Sequence, residues 1–262
     1  EIDPESLNSI GPWTFQDKLS GPMTAHPKID PESGEMLFFA YNADPENRVS
    51  SRMAFHKADK HGNLVHSEFF DAPYSAMVHD FIVTKEHVIF PIMPLTSSMA
   101  RAMGGGSLYA WDPTKNSYIG IMPRDGCSSD LRWFEGDPAY VFHPMNAYND
   151  GDKIICDVCE YPEAPLFPHA DGSKPDPTKS TAKLTRWTFD LNANTDTYHR
   201  EQLDDTISEF PRLDERYTGL NYRYGYFACS VEGGAIDNRY NGIGRIDHKS
   251  NQVAIYSMNE QF

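Results

Sequence analysis

The sequence predicts an all-β fold with the periodicity of a β-propeller, in a single domain over residues 1–262. Short aliphatic and aromatic runs alternate with polar turn segments every 8 to 15 residues, which is typical of antiparallel strands. No stretch has the apolar spacing of an amphipathic helix. A unit made of a histidine, a polar turn and a strand-like run occurs three times, at His26, His79 and His143.

Each element is predicted from local composition. Residues 104–106 are three glycines and are predicted as a flexible loop, and residues 161–180, rich in Pro, Asp and Lys, as a long loop. Clusters of Asp, Asn, Thr, Gly and Lys between apolar runs predict turns at 59–63, 112–116, 192–196 and 248–251. The predicted strands are 37–42, 52–57, 64–70, 79–83, 88–93, 107–111, 118–122, 131–134, 154–159, 184–191, 197–203, 222–230, 243–247 and 253–256.

The three histidine units are spaced like propeller blades. His79 follows His26 by 53 residues, and His143 follows His79 by 64 residues. A four-stranded blade takes roughly 40–50 residues, and more with loop insertions. Because the inner strands of all blades line one axis, residues at equivalent places in successive blades converge. The pattern therefore predicts that His26, His79 and His143 are ligands of one metal ion.

A fourth position keeps the same spacing. Glu209 lies 66 residues after His143, ahead of the aromatic strand predicted at 222–230. A carboxylate in this position is suited to accept a hydrogen bond from a ligand histidine, which fixes the tautomer and orientation of the ring. We therefore predict that Glu209 supports one of the ligands.

Any single histidine in an apolar segment is more often an ordinary core residue than a ligand, and it is the recurrence that favours a metal. Imidazole ligands without thiolate are compatible with zinc, copper or iron, and the residues alone do not choose among them. The other histidines lie in polar contexts and are predicted as ordinary surface residues: His56, His61, His66, His87, His169, His199 and His248.

Charge and cysteine content exclude several classes of protein. A net charge of −15 argues against nucleic-acid binding, which requires a basic face. Cys156 and Cys159 are predicted on one strand, where residues three apart point to opposite faces, so a shared metal site is not expected. All four cysteines are predicted to be reduced. No apolar run approaches the length of a membrane span, and a cytoplasmic location is expected.

Several motifs resemble those of the carotenoid cleavage oxygenase family, in order and over essentially the whole chain. They are Thr24–Glu35, Met77–Phe81, Ile121–Arg124, Phe142–Tyr148 and Glu209–Asp214. The segment from Val78 to Pro91 is most similar to the lignostilbene dioxygenase branch. The resemblance implies a seven-bladed β-propeller of which this chain covers about the central four to five blades, so that N-terminal and C-terminal blades are missing.

The resemblance also implies a site and a reaction. Four histidines would hold Fe(II), the first three being His26, His79 and His143, with the fourth absent from this chain. Glu209 would hydrogen-bond to a ligand, and Phe167 would be an aromatic residue of the substrate cavity. The implied enzyme is an Fe(II)-dependent dioxygenase that cleaves the double bond of a stilbenoid with O2 to give two aldehydes.

Two alternatives stay open. One is cleavage of an apocarotenoid or carotenoid, and the other is a non-catalytic β-propeller that binds partners. The absence of a recognisable apolar patch for lipid contact favours the smaller phenolic substrate. The isolated 262 residues, one ligand short, are expected to be inactive. The oligomeric state is not predicted.

Overall fold

A computed structural model describes residues 1–47, 49–231 and 240–258. In these residues nearly all regular structure is β, in strands that run antiparallel to their neighbours. Most strands form four consecutive four-stranded sheets, which we call blades 1 to 4. The arrangement of blades agrees with the all-β propeller prediction. Among the described residues, no helix is both long and apolar enough to cross a membrane.

Blades 1 and 2 are antiparallel sheets of consecutive strands. Blade 1 has the order β1-β2-β3-β4, and blade 2 has the order β5-β6-β9-β10, starting from the inner strand. The strands of blade 1 are β1 (Lys28–Ile29), β2 (Met36–Ala40), β3 (Arg52–Ala58) and β4 (Leu64–Asp71). Those of blade 2 are β5 (Ile82–Val83), β6 (His87–Ile92), β9 (Ser117–Pro123) and β10 (Arg132–Gly136).

Between β6 and β9 the chain forms an insertion. It contains the two-stranded hairpin β7 (Leu95–Ser97) and β8 (Tyr109–Trp111) and a one-turn helix, α1 (Met99–Met103). The sequence predicts no helix here. The Ser98 side chain caps α1 by accepting from the backbone N–H of Arg101, and the Arg101 guanidinium donates to the carbonyls of Thr96, Ser107 and Leu108. Such side-chain bonds leave no periodic apolar signal in the sequence.

Blades 3 and 4 share one strand. The order is β11-β12-β13-β14-β15-β16-β17, and the first half of β14 pairs with β13 while the second half, from Ser208, pairs with β15. The 15-residue β14 is therefore the outer strand of blade 3 and the inner strand of blade 4. The strands are β11 (Tyr140–Asp150), β12 (Lys153–Tyr161), β13 (Lys183–Asp190), β14 (His199–Leu213), β15 (Tyr224–Cys229), β16 (Gly242–Asp247) and β17 (Gln252–Ser257).

The core lies between neighbouring blades. The central strand β3 is buried along nearly its whole length, because both of its faces are covered, whereas the outer strand β4 alternates between exposed and covered residues. Between blades 1 and 2 the contacts are mainly aromatic. Phe39 and Phe81 lie with ring centroids 5.0 Å apart, and Phe70 and Phe90 with centroids 4.8 Å apart. This packing fixes the angle between blades, and with it the positions of the inner strands.

The cysteine prediction agrees with the structure, and part of the histidine prediction is wrong. Cys156 and Cys159 lie on β12, and both are buried and free. His56 was predicted at the surface, yet it is only 3% exposed on the central strand β3 and stacks on Phe38 with ring centroids 5.0 Å apart. The side chain of His248 is only 8% exposed. In a short strand that is buried on both faces, polar residues are buried as well. The residues next to them in sequence do not reveal this burial.

Candidate metal centre

The innermost strands of the four blades bring one functional residue each to a common region. His26 lies two residues before β1, and His79 lies three residues before β5. His143 is in β11, and Glu209 is the second residue of the part of β14 that pairs with β15. β11 lies beside both β5 and β14, so these segments, which are far apart in sequence, line one axis.

The three histidines converge through the same ring atom. Nε2 of His79 lies 3.1 Å from Nε2 of His26 and 3.2 Å from Nε2 of His143. All three candidate ligand atoms lie within 4.8 Å of one another. Ligand atoms that are each about 2.0–2.1 Å from one ion, at angles of about 90–110°, are about 2.8–3.4 Å apart. The two spacings measured from His79 fall within this range.

Hydrogen bonds among the rings do not account for this arrangement as well as a cation does. A ring nitrogen carries either one proton or one lone pair, so His79 Nε2 cannot make two directed hydrogen bonds at once. A cation at the centre accepts the lone pairs of all three nitrogen atoms. The donor set of neutral imidazoles fits zinc, copper or iron in its divalent state.

Glu209 fixes the orientation of His143. Its Oε2 lies 2.8 Å from Nδ1 of His143, and the Glu209 side chain is only 3% exposed. The carboxylate accepts from the Nδ1–H group, which leaves the Nε2 lone pair directed at the other two histidines. The same Oε2 also accepts a short hydrogen bond from the backbone N–H of Phe210.

Irregularities in strand pairing direct the side chains of both His143 and Glu209 toward the axis. The register of β11 shifts on either side of Pro144, and that of β14 shifts between Glu209 and Arg212. A β-bulge bends its strand and redirects a side chain, and bulges are frequent next to active sites. Phe210, inside the second bulge, has a φ of 49°, in the left-handed region. The bulges thus turn His143 and Glu209 toward the axis without interrupting either strand.

Burial keeps the imidazoles of His79 and His26 neutral. Burial, together with the neighbouring His143 and His26, lowers the pKa of His79 to about 4. Burial also lowers the pKa of His26, although the nearby Asp80 carboxylate opposes this shift. Because a metal ligand must carry a free lone pair, both rings are ready to bind a cation at neutral pH.

His26 and His143 form part of the wall of an open cleft of about 640 Å³. Two aromatic rings flank the imidazoles. The Phe142 ring stands edge-on to His79 and the Phe210 ring packs beside His143, each with centroids 5.2 Å apart. Charged residues line the same cleft, including Lys28, Asp80 and Arg212. The cleft therefore combines nitrogen donors, apolar walls and a charged end.

Phe167 lies elsewhere in the structure. It is partly buried and packs against the large core cluster that contains Trp111 and Tyr140, and it is not among the residues lining the cleft. Phe142 and Phe210 are the aromatic residues beside the histidines, and the sequence analysis missed both. Phe142 directly precedes His143 in sequence and Phe210 directly follows Glu209, and this adjacency could have indicated that both rings lie at the site.

Comparison with known proteins relates the whole chain to one family. A family model described as RPE65, retinal pigment epithelial membrane protein, matches residues 1–262. Isoeugenol monooxygenase from Pseudomonas putida is 40% identical over 228 residues, a match that covers 86% of this chain and 47% of that protein. Lignostilbene-alpha,beta-dioxygenase isozyme III from Sphingomonas paucimobilis is 34% identical over 263 residues, which cover 94% of this chain and 53% of that protein.

A solved structure shares the fold. The crystal structure of Pseudomonas brassicacearum lignostilbene dioxygenase superposes with a TM-score of 0.91 at 33% identity, covering 98% of this chain and 55% of that one. The chain therefore spans about half the length of the relatives it matches.

Proposed function

Because the chain belongs to the RPE65 family of carotenoid cleavage oxygenases, we propose that it forms the metal-holding part of an enzyme that cleaves a carbon–carbon double bond with O2. In this proposal His26, His79 and His143 bind Fe(II), and a fourth histidine lies outside this chain. The convergence of three Nε2 atoms within 4.8 Å is the observation that carries the proposal.

The protein's own residues have separate roles. His26, His79 and His143 would hold the ion through the lone pairs of their converging Nε2 atoms. Glu209 holds the Nδ1 proton of His143 and so keeps that ring in its ligating tautomer. Fe(II), when bound, supplies a redox-active centre for reaction with O2, and in a dioxygenase the two oxygen atoms end in the two carbonyl products. Phe142 and Phe210 provide apolar surface beside the imidazoles.

The proposed substrate is a small aromatic alkene. Names of relatives support this class, because one is an isoeugenol monooxygenase and another a lignostilbene dioxygenase. A stilbenoid giving two aldehydes is the first candidate. The 40% identity to the isoeugenol enzyme favours a phenylpropene as the second candidate. Phe167 as a cavity aromatic, although it does not line the cleft beside the histidines, and a cytoplasmic location both stay predictions of the sequence.

Product analysis tests the reaction. The full-length protein, loaded with Fe(II), is offered a hydroxystilbene, isoeugenol and an apocarotenal in air, and aldehydes are measured by chromatography. We expect aldehydes from the aromatic alkenes and none from the apocarotenal or from the isolated 262 residues. Cleavage of the apocarotenal alone would favour the carotenoid alternative, and no cleavage with retained iron would favour a non-catalytic propeller.

The ligand assignment has its own control. His79→Ala is expected to lose bound iron, measured by metal analysis after gel filtration. His199→Ala, which removes an exposed histidine on β14, is the matched control and should retain iron. Equal iron content in the two variants would remove His79 from the site.

A further inference from the structure

Alternate residues of the first inner segment of blade 1 all face blade 2. In an extended chain, successive side chains point to opposite sides, so His26, Lys28 and Asp30 share one side, and Glu32 follows in the turn after Asp30. Each of the four has a partner from blade 2 or from the turns that join its strands. We call the three charged pairs, Lys28–Asp80, Asp30–Arg124 and Glu32–Lys85, the charged ladder.

In the first pair of the ladder, each partner is close in sequence to one of the histidines. Lys28 follows His26 by two residues, and Asp80 follows His79 directly. Nζ of Lys28 lies 2.9 Å from Oδ2 of Asp80, while the two histidine Nε2 atoms are 3.1 Å apart. The same two segments are thus held by two adjacent contacts, one between ring nitrogens and one between opposite charges.

Asp80 is held rigidly. It is only 5% exposed, and its second oxygen, Oδ1, accepts from the backbone N–H of Phe81 at 2.7 Å. The Phe81 ring is fully buried and packs on Phe39 of blade 1. Both carboxylate oxygens are therefore engaged, one by the blade 2 backbone and the other by the Lys28 ammonium. Movement of His26 relative to His79 would disturb this partly buried ion pair.

The other two pairs are progressively further from the histidines. Arg124 and Asp30 are nearly buried, with 2.5 Å between Nη1 and Oδ2. Lys85 and Glu32 are joined at 2.7 Å, but both side chains are more than half exposed. An exposed pair contributes little to holding a geometry, because water and salt screen it. The exposed Glu32–Lys85 pair therefore serves as a control for the role of the Lys28–Asp80 pair.

We propose that the Lys28–Asp80 ion pair is a positioning device that sets the distance between His26 and His79 and so the shape of the metal site. The inference rests on the proposed metal centre. The pair has no net charge, so its formation adds no charge next to the ion. Loss of either partner removes the link between the two segments and leaves the other charge without its partner close to the histidines.

Cobalt binding distinguishes positioning from charge. Chelator-treated protein is titrated with Co(II) alone, and its affinity and visible absorption are recorded for wild type, Asp80→Asn, Lys28→Met and the double variant. If the pair acted only through charge, Asp80→Asn would weaken binding of the cation and Lys28→Met would strengthen it. Positioning predicts that both variants bind Co(II) about 10- to 100-fold more weakly, with changed absorption. The double variant is then expected to resemble either single variant rather than to add the two losses.

Controls separate this result from a loss of folding. Glu32→Gln and Lys85→Met remove the exposed pair of the same ladder and should leave cobalt affinity within about twofold of wild type. The unfolding midpoint of each metal-free variant is measured alongside, and the spectra are compared only in the folded state. Opposite effects of Asp80→Asn and Lys28→Met, or unchanged affinity in both, would overturn the positioning role. Failure of the wild-type protein to bind Co(II) would overturn the metal centre itself, and this inference with it.

Discussion

Glu209 is the residue on which the orientation of His143 depends. Its carboxylate is buried, and its Oε1 atom has no hydrogen-bond partner among the described residues. The contacts that hold it, from His143 Nδ1 and the backbone N–H of Phe210, both converge on Oε2. Burying a carboxylate with one oxygen atom unpaired is unfavourable for folding. We therefore infer that Glu209 occupies this position because it orients His143.

Glu209→Gln is expected to weaken metal binding about 10- to 100-fold, because the neutral amide holds the Nδ1 proton less strongly and makes the ring a poorer ligand. Isothermal titration with Co(II) measures the change. Glu201→Gln, at an exposed position of the same strand, is the control. Equal affinities in the two variants would show that the carboxylate does not act on the ligand.

His56 gives the fold a dependence on pH. Burial, together with a smaller effect of the neighbouring His66, lowers its pKa to about 4. In the unfolded chain the ring titrates near its usual value of about 6.5. The unfolded state therefore binds the proton more readily, and the stability due to neutral His56 is present above about pH 6.5 and is lost as the pH falls toward 4.

Between pH 7 and pH 5, His56 should lower the free energy of unfolding by about 2 kcal/mol. In His56→Gln this part of the pH dependence should disappear, whereas His61→Gln, in an exposed turn, should retain it. Urea unfolding at the two pH values measures the difference. A pH dependence that is the same in both variants would contradict the assignment.

At the scale of elements, blades 3 and 4 are joined by a buried polar cluster. Asp157 on β12 is fully buried and accepts two hydrogen bonds from Arg186 on β13, at 2.7 and 2.9 Å. From the blade 4 side, the Tyr222 hydroxyl donates to Asp157 at 2.7 Å, and His248 Nδ1 lies 3.0 Å from the Arg186 guanidinium. Burial raises the pKa of Tyr222 well above its usual value, so the hydroxyl keeps its proton.

Tyr222→Phe removes the hydroxyl but keeps the ring, and it should lower the free energy of unfolding by about 1.5–3 kcal/mol, the usual contribution of a hydrogen bond to a charged group. Tyr226→Phe, at a position that is 41% exposed on β15, should change it by less than about 0.5 kcal/mol. Denaturant midpoints measure both. Equal losses would mean that the bond to Asp157 does not join the blades.

The packing of strands and blades determines which parts of the site can be predicted from the sequence. His26, His79 and His143 each belong to a repeated local pattern, so their convergence follows from spacing and strand geometry. Lys28 and Asp80 do not repeat, and their contact joins positions 52 residues apart. Their pairing depends on the angle between two blades, which no local pattern specifies. His56 was misassigned because burial of β3 on both faces depends on neighbouring strands in the same way.

At the scale of the molecule, the blade architecture and the family follow from the sequence, and the comparisons confirm both. Four consecutive sheets supply one residue each to the axis, so the site belongs to no single blade. The contacts that define it cross from blade 1 to blade 2, from blade 2 to blade 3 and from blade 3 to blade 4. The geometry of the metal centre is therefore a property of how the blades pack.

The continuity of strand β14 restricts where insertions and deletions can occur during the evolution of such a protein. Elsewhere, blades are connected by loops, which tolerate insertions and deletions. Within β14, one extra residue in the half that pairs with β13 would turn every later side chain to the opposite face. Glu209 would then point away from His143. The half of β14 that pairs with β13 must therefore keep its length, although none of the proposed ligands lies in it, and insertions in natural variants should accumulate in the loops and spare residues 199–209.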